Sequence, residues 1–225
     1  MIELSKRLSL IEHFVNEGSS VCDVGTDHGY LPAFLYLSGK CKSVIAIDIN
    51  DKPLKSAKAN LERFGADGVK LILCDGLQAV TRAQADTVII AGMGGEVISG
   101  IIERAQFLRD NTVTLILQPT TAAKELRLFL AQNGFAVEKE TALSENGKIY
   151  SVMCVRFVNN RYDIDAVRAV IGILKPDSDD SKAYIEKQYR IAQKCANDLS
   201  AVQSKQAEYN QYLKLSKELK NILGG

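Results

Sequence analysis

The segment Val21-Cys22-Asp23-Val24-Gly25-Thr26-Asp27-His28-Gly29-Tyr30 decides the fold of this chain. Apolar and small residues lead into Asp23, small residues recur at Gly25 and Gly29, and a helical pattern follows. This order predicts a buried strand that ends in a tight turn beneath a helix N-terminus, where a nucleotide-like ligand approaches bare backbone. A second acid, Asp48, ends the next apolar run, at a spacing that suits a carboxylate bound to ribose hydroxyls.

The remaining apolar runs predict an α/β fold. Strand-like runs occur at 20–24, 43–48, 69–74, 86–91, 112–117, 135–142 and 149–157, and helical patterns occur at 31–38, 52–64, 95–108 and 121–133. The early runs are almost continuously apolar, which is typical of a parallel sheet with helices on both faces. The Asn146-Gly147 pair predicts a hairpin between the last two runs. We therefore expect seven strands, five parallel strands followed by an antiparallel hairpin.

The sequence pattern changes after Phe157. Residues 165–175 predict a short helix that Pro176 stops. Two apolar stripes further on are out of phase across 200–211, which predicts an antiparallel α-helical coiled-coil hairpin rather than one straight rod. We expect two domains, an α/β domain at 1–157 and a helical domain at 158–225.

Composition restricts the class of protein. The chain has 225 residues, of which 46% are hydrophobic and 24% are charged, and its formal net charge is +1. These values are ordinary for a globular protein, so an anionic partner needs a local basic patch. No apolar run is long enough to span a membrane, and no signal-peptide pattern opens the chain. The five cysteines show no metal-ligand spacing, so we expect no bound metal and a reducing, cytoplasmic location.

The acids beside the first turn distinguish between two cofactor classes. A dinucleotide needs a turn that admits a pyrophosphate, but here Asp27 would repel it. S-adenosylmethionine carries an ammonium and a sulfonium, and both are attracted to carboxylates such as Asp23 and Asp27. The charge pattern therefore favours S-adenosylmethionine over NAD.

Two further strand ends extend the predicted site. Asp75-Gly76 follows the third strand, where an acid can accept a hydrogen bond from an adenine amine, although a simple Asp-Gly turn explains it equally well. Gly92-Met93 lies in a glycine-rich turn after the fourth strand, which lacks the Lys-Ser of a phosphate-binding loop. In an open α/β sheet the carboxyl ends of these strands share one edge.

These motifs identify a family resemblance. The chain resembles the bacterial tRNA (adenine(22)-N1)-methyltransferases over essentially its whole length, through 5–8, 23–32, 91–95, 118–119 and 145–150. The resemblance implies a Rossmann-like S-adenosylmethionine-dependent methyltransferase domain with a C-terminal coiled coil. It also implies methyl transfer to N1 of an adenine in tRNA. Because N1 has an in-plane lone pair, positioning against the methyl group supplies much of the catalysis.

The resemblance also suggests roles for individual residues. The cofactor set is Asp23, Gly25, Thr26, Gly29, Asp48, Ile49, Asp75, Gly76, Gly92 and Met93. The catalytic and base-binding set is Asp27, His28 and Tyr30, and the tRNA-binding set is Arg7, Lys187, Arg190 and Lys194.

Structural alternatives stay open for several of these residues. Tyr30 either stacks on the adenine or packs at the start of its helix. His28 either orients the base or bonds backbone, and Asp27 serves either as an electrostatic partner or as a turn residue. Arg7 contacts phosphate or forms a salt bridge near the first helix. The lysines of the hairpin either contact phosphates or form a solvated helix face.

Two other functions remain as hypotheses, a non-catalytic RNA-binding adaptor and an NAD-dependent dehydrogenase. The sequence does not fix the oligomeric state, for which we expect a monomer.

Overall fold

The computed structural model describes residues 2–224, so the outermost residue of each predicted domain lies outside the described residues. Seven strands form one sheet in the order β3-β2-β1-β4-β5-β7-β6. The strands are β1 Ser19–Val24, β2 Cys41–Asp48, β3 Lys70–Leu73, β4 Thr87–Gly94, β5 Thr114–Thr121, β6 Phe135–Glu145 and β7 Lys148–Phe157. Strands β1 to β5 pair in parallel, and β7 is antiparallel to both β5 and β6. The predicted sheet is confirmed.

Eight α-helices accompany the sheet within residues 2–224. They are α1 Lys6–Phe14, α2 Tyr30–Leu37, α3 Asp51–Phe64, α4 Gly95–Arg104, α5 Ala123–Gln132, α6 Ala166–Ile171, α7 Asp179–Leu199 and α8 Gln206–Ile222. Side-chain caps start three of them, because Ser5, Asp165 and Ser178 each accept a hydrogen bond from a backbone N–H of the first turn.

The core lies on both faces of the sheet. Cys22 and Val24 of β1 pack into one apolar cluster, whereas Val21 packs into the cluster on the other face. Side chains of a strand alternate between faces, so a strand buried on both sides must be apolar throughout. This burial explains the continuous apolar runs of the sequence.

Several element boundaries differ from the predicted ones. Strands β4 and β5 continue to Gly94 and Thr121, because they pair past Ala91 through bulges that a glycine-rich sequence does not reveal. The helix predicted at 95–108 ends at Arg104 and is followed by a 3-10 turn. The helix predicted at 165–175 spans only Ala166–Ile171, since Gly172 takes a φ of +62° and Ile173 N donates to the Glu140 carboxylate instead.

The C-terminal helices form a hairpin that is anchored to the sheet. Helices α7 and α8 share an apolar cluster that includes Ile185 and Leu219, and the predicted helical hairpin is confirmed. Arg127 of α5 pairs with Glu140 of β6 at 2.6 Å, with both side chains almost fully buried. Arg127 Nη2 also donates to the Tyr184 hydroxyl of α7 at 3.1 Å. The division into domains at 157/158 stays a prediction, and the helices pack directly on the sheet. No helix among residues 2–224 is long and apolar enough to cross a membrane.

Candidate active site

A cleft of about 650 Å³ opens at the carboxyl ends of β1 to β4. It brings together most of the predicted site residues from distant parts of the sequence. Those that line it are Arg7, Asp23, Gly25, Thr26, Asp27, His28, Tyr30, Asp48, Ile49, Asp75, Gly76, Gly92 and Met93. Such a crevice outside the carboxyl ends of the strands is where open α/β sheets bind ligands.

The turn after β1 is shaped by its glycines. Gly25 has a φ of +77°, and a Cβ at this position would overlap the terminal methyl group of Met93. The Gly25 and Thr26 N–H groups donate to the Ile47 carbonyl at 2.8 and 3.0 Å, which fixes the turn to β2. The positive φ is what favours glycine at position 25, since the Met93 methyl group could move aside for a Cβ.

Gly29 differs from the other predicted cofactor residues because it does not line the cleft. A Cβ at Gly29 would lie 3.0 Å from the Ala57 Cβ. The residue is thus small so that α2 can pack closely against α3, and its placement gives no support to direct contact with a cofactor.

Three carboxylates mark consecutive strand ends. Asp23 of β1 is 6% exposed, and burial raises the pKa of its carboxyl group to about 6, an effect that the Thr26 hydroxyl and the nearby Arg7 guanidinium oppose. Asp48 of β2 is also buried, and its carboxylate accepts from the Asn50 N–H at 2.9 Å. Asp75, after β3, is half-exposed and forms an ion pair with Arg104 at 3.4 Å.

The Thr26 hydroxyl is a buried polar group of the cleft. Thr26 Oγ1 is buried close to the Asp23 carboxyl group, whose pKa it lowers, but it forms no hydrogen bond of normal length and angle with any of residues 2–224. Buried hydroxyl groups in folded proteins are normally hydrogen-bonded. A buried hydroxyl without a well-formed hydrogen bond, in a cleft lined by carboxylates, therefore fits a polar, cationic ligand. The residues 2–224 hold no group of three or more His, Cys, Asp or Glu placed to bind a metal ion.

Asp27, His28 and Tyr30 lie together at the mouth of the cleft. The His28 Nε2 atom is 3.7 Å from the Asp27 carboxylate, and both side chains are more than half exposed. His28 Nδ1 is 2.8 Å from Ser56 Oγ, so the imidazole is held from α3. The Tyr30 ring packs beside Phe64 and remains 40% exposed. The Tyr30 ring therefore packs against a neighbouring ring and is also partly open to the cleft.

Arg7 lines the cleft and is hydrogen-bonded to Gln118, a buried residue that does not line the cleft and had no role predicted from the sequence. Arg7 Nη1 donates to Gln118 Oε1 at 3.0 Å, and the Arg7 backbone N donates to Glu145 Oε1 at 3.1 Å. The expected salt bridge near the first helix exists, since Arg7 Nε lies 4.0 Å from Glu145 Oε2. In the sequence analysis Gln118-Pro119 served only as part of the family resemblance. No local sequence pattern indicates which groups a buried glutamine binds.

The remaining predicted tRNA residues occupy a different surface. Lys187, Arg190 and Lys194 lie on one face of α7 and line a groove against the β6–β7 hairpin. The groove also contains Lys148, Ile149 and Tyr150 of the hairpin. Helix α7 adds Ile191 and one acid, Glu186, which pairs with Arg190 at 3.3 Å on the exposed surface. We call this surface the basic groove. It is separate from the cleft, and Thr120 at the end of β5 lies at its edge.

Comparison with known proteins gives the class first. Residues 4–153 match a family described as a methyltransferase domain. This match covers the sheet, the strand-end carboxylates and the turn after β1. It favours a methyl donor over the dinucleotide of the dehydrogenase hypothesis.

Individual relatives then identify the particular family. The tRNA (adenine(22)-N(1))-methyltransferase of Bacillus subtilis is 33% identical over 174 residues, which cover 77% of this chain and 73% of that protein. A crystal structure of a putative tRNA (m1A22) methyltransferase from Streptococcus pneumoniae has a TM-score of 0.83 at 30% identity, over 98% of this chain and 100% of that one. The same protein in complex with S-adenosyl-L-methionine gives a TM-score of 0.81 at 31% identity, with the same coverage. The chain belongs to the tRNA (adenine(22)-N1)-methyltransferase family.

Proposed function

We propose that this protein transfers a methyl group from S-adenosylmethionine to N1 of adenine 22 in tRNA. The observation that carries the proposal is the row of strand-end carboxylates in one cleft. The names of the relatives support the substrate, and the S-adenosyl-L-methionine complex of one of them supports the cofactor.

The strand order supports the placement of the cofactor. Four cleft residues lie at the carboxyl ends of four strands that are consecutive neighbours in the sheet. They are Asp75 just after β3, Asp48 at the end of β2, and Asp23 and Met93 one residue before the ends of β1 and β4. Neighbouring strands lie about 4.8 Å apart, so this row spans about 14 Å. Asp75 and Gly76 are assigned to the adenine end, Asp48 and Ile49 to the ribose, and Asp23, Gly25 and Thr26 to the methionine end.

The side chains at the mouth are assigned to the adenine base. The bound cofactor supplies a methyl group activated by a sulfonium. Tyr30 offers an exposed ring face on which a base can stack. The Asp27 carboxylate stabilises the positive charge that develops on the base during methylation, and His28, held by Ser56, orients the base. N1 is a base-pairing atom, so the adenine must be exposed before it enters.

The basic groove is assigned to the tRNA backbone. Lys187, Arg190 and Lys194 repeat at helical spacing on an exposed face, and Lys148 faces them from the hairpin. Cations in such an arrangement bind successive phosphates. Ile149, Tyr150 and Ile191 add apolar surface against which an unpaired base can pack. We also propose that the protein acts on tRNA in the cytoplasm, and the monomer expected from the sequence stays a prediction.

A methyl-transfer assay tests the proposal. Purified protein is incubated with radioactive S-adenosylmethionine and bacterial tRNA, and the methylated nucleosides are mapped by mass spectrometry. We expect N1-methyladenosine at position 22, and no product when this adenine is replaced by guanine. Tight tRNA binding without turnover would instead support the adaptor hypothesis. Binding of NAD in place of the methyl donor would overturn the proposal.

A further inference from the structure

Gln118 of β5 is a fully buried polar side chain that contacts two residues of the cleft, Arg7 and Gly92, but does not line the cleft itself. Its Oε1 atom accepts two hydrogen bonds, one from Arg7 Nη1 at 3.0 Å and one from the Gly92 N–H at 3.1 Å. Its Nε2 atom donates to the Pro119 carbonyl at 3.1 Å. One amide group therefore joins the N-terminal helix to the bulge at Gly92–Met93 within β4, which we call the Gly92 turn.

The second hydrogen bond compensates for a break in the sheet. Strands β4 and β5 shift register between Ala91 and Met93, so Gly92 bulges out of the ladder. The Gly92 N–H then needs another acceptor, since an unpaired amide in this position costs free energy. Gln118 provides that acceptor through its side chain and so fixes the Gly92 turn.

Arg7 is held by two elements, and part of its guanidinium stays available. Gln118 binds Nη1, and Glu145 of β6 lies 4.0 Å from Nε. No hydrogen bond from Nη2 to any of residues 2–224 is found. Because a Cβ at Gly92 would lie 3.7 Å from Nη1, the guanidinium rests above the Gly92 turn, inside the cleft.

The charges of the cleft indicate what such a cation binds. Asp23, Asp27, Asp48 and Asp75 match the cationic groups and hydroxyls of a methyl donor. The other arginine of the cleft, Arg104, is already paired with Asp75. S-adenosylmethionine has one anionic group, its α-carboxylate, and a guanidinium is well suited to bind a carboxylate.

We propose that Gln118 is a positioning residue, which holds Arg7 above the Gly92 turn so that Arg7 binds the α-carboxylate of the methyl donor. The inference rests on the proposed function and deepens it. The sequence-based prediction assigned Arg7 to a tRNA phosphate, whereas this inference assigns it to the cofactor. It also explains why a buried glutamine lies beside a glycine turn.

The test compares two ligands that differ only in the carboxylate. Dissociation constants for S-adenosylmethionine and for decarboxylated S-adenosylmethionine are measured by calorimetry with the full chain. We expect Arg7→Met to weaken binding of S-adenosylmethionine by about ten- to a hundredfold, the worth of a hydrogen bond to a charged group, while the decarboxylated ligand binds as before. Arg82→Met serves as the matched control, because Arg82 pairs with Asp110 outside the cleft.

Variants of Gln118 separate positioning from general stability. Gln118→Met removes the shared acceptor, and we expect it to lose most of the preference for the carboxylate. The double variant Arg7→Met/Gln118→Met should show no greater loss than Arg7→Met alone. If Gln118→Met does not fold, as judged by its melting curve, Gln118→Asn withdraws the acceptor with a smaller change.

Two outcomes would overturn the inference while leaving the proposed function intact. In one, Arg7→Met weakens the binding of both ligands by the same factor. In the other, Gln118→Met or Gln118→Asn keeps the wild-type preference in a folded protein. A wild-type protein that binds neither ligand would instead remove both the inference and the proposed function.

Discussion

At the scale of the residue, Asp23 shows how a functional group acts against the stability of the fold. Its carboxyl group is buried, and its pKa is raised to about 6. An unfolded aspartate has a pKa near 3.9, so the folded protein binds the proton more tightly. The contribution of Asp23 to stability is therefore fully present below about pH 4 and is lost as pH rises through about 6.

Asp23→Asn should therefore make the protein more stable and bind its cofactor less tightly. At pH 7 we expect the free energy of unfolding to rise by about 1–3 kcal/mol, because a neutral amide replaces a buried charge. At pH 4 the difference should vanish. Urea unfolding at both pH values measures it, and equal effects at both would contradict the raised pKa.

The same ionisation predicts a pH dependence of cofactor binding. A charged Asp23 attracts the ammonium and sulfonium, whereas a protonated Asp23 does not. The affinity of the wild-type protein for S-adenosylmethionine should decrease as pH falls below about 6. Calorimetry between pH 5 and 8 tests this, and the decrease should be absent from Asp23→Asn.

Asp48 allows a cleaner test of the ribose assignment. Asp48→Asn keeps an oxygen that can accept from the Asn50 N–H, so the end of β2 should stay in place. Loss of a charge-assisted hydrogen bond should weaken S-adenosylmethionine binding by about tenfold or more. The melting temperature without ligand serves as the control. Unchanged affinity in a folded variant would remove Asp48 from the ribose.

At the scale of the element, long-range contacts decide how the C-terminal helices sit on the sheet. Arg127 Nη1 donates to the carbonyls of Ala169 and Val170 at the end of α6, and Arg127 Nη2 donates to Tyr184 of α7. Glu140 also accepts from Ile173 N beyond α6. One buried ion pair therefore joins α5, β6, α6 and α7.

Breaking this pair from one side should be costly. Arg127→Met leaves Glu140 buried without its partner, and we expect the free energy of unfolding to fall by about 3–5 kcal/mol. Tyr184→Phe removes a single hydrogen bond and should cost about 1–3 kcal/mol. In the double variant Arg127→Met/Glu140→Leu, no charge remains unpaired, so part of the loss should be recovered. Urea unfolding measures all three, and a small effect of Arg127→Met would show that the pair does not anchor the helices.

At the scale of the whole molecule, the cleft and the basic groove lie on different parts of one chain and are assigned to the two substrates. The groove lies between α7 and the β6–β7 hairpin, with Thr120 of β5 at its edge. Because the anchored helices fix this arrangement, we expect tRNA, if it binds in the groove as proposed, to be held at a set distance from the cleft.

Neutralising the groove should weaken tRNA binding but leave the cofactor affinity unchanged. We compare Lys187→Gln/Arg190→Gln/Lys194→Gln with Lys214→Gln/Lys217→Gln/Lys220→Gln, which removes the same charge from α8. For the first triple we expect the slope of log affinity against log salt to become less steep by about 2–3, as three phosphate contacts are lost. The control triple should change it little. Equal effects of the two triples would indicate a general charge effect instead of a specific contact.

The sequence by itself determined the sheet, the position of the cleft and the acids within it. These features follow from local patterns, because a strand buried on two faces is apolar throughout and its loop carries the polar side chains. The helical hairpin was predicted for the same reason, from apolar stripes on either side of a phase change.

Only the tertiary structure decided the partners of Gln118, Arg127 and Gly29. Gln118 lies 111 residues from Arg7, and Arg127 lies 57 residues from Tyr184. Gly29 packs on Ala57 and not on the cleft. Such contacts leave no periodic signal, because they depend on which strands are neighbours and on where the ladder bulges. The chemical groups at the strand ends can therefore be predicted from the local sequence. The residues that position those groups depend on the packing of the whole chain.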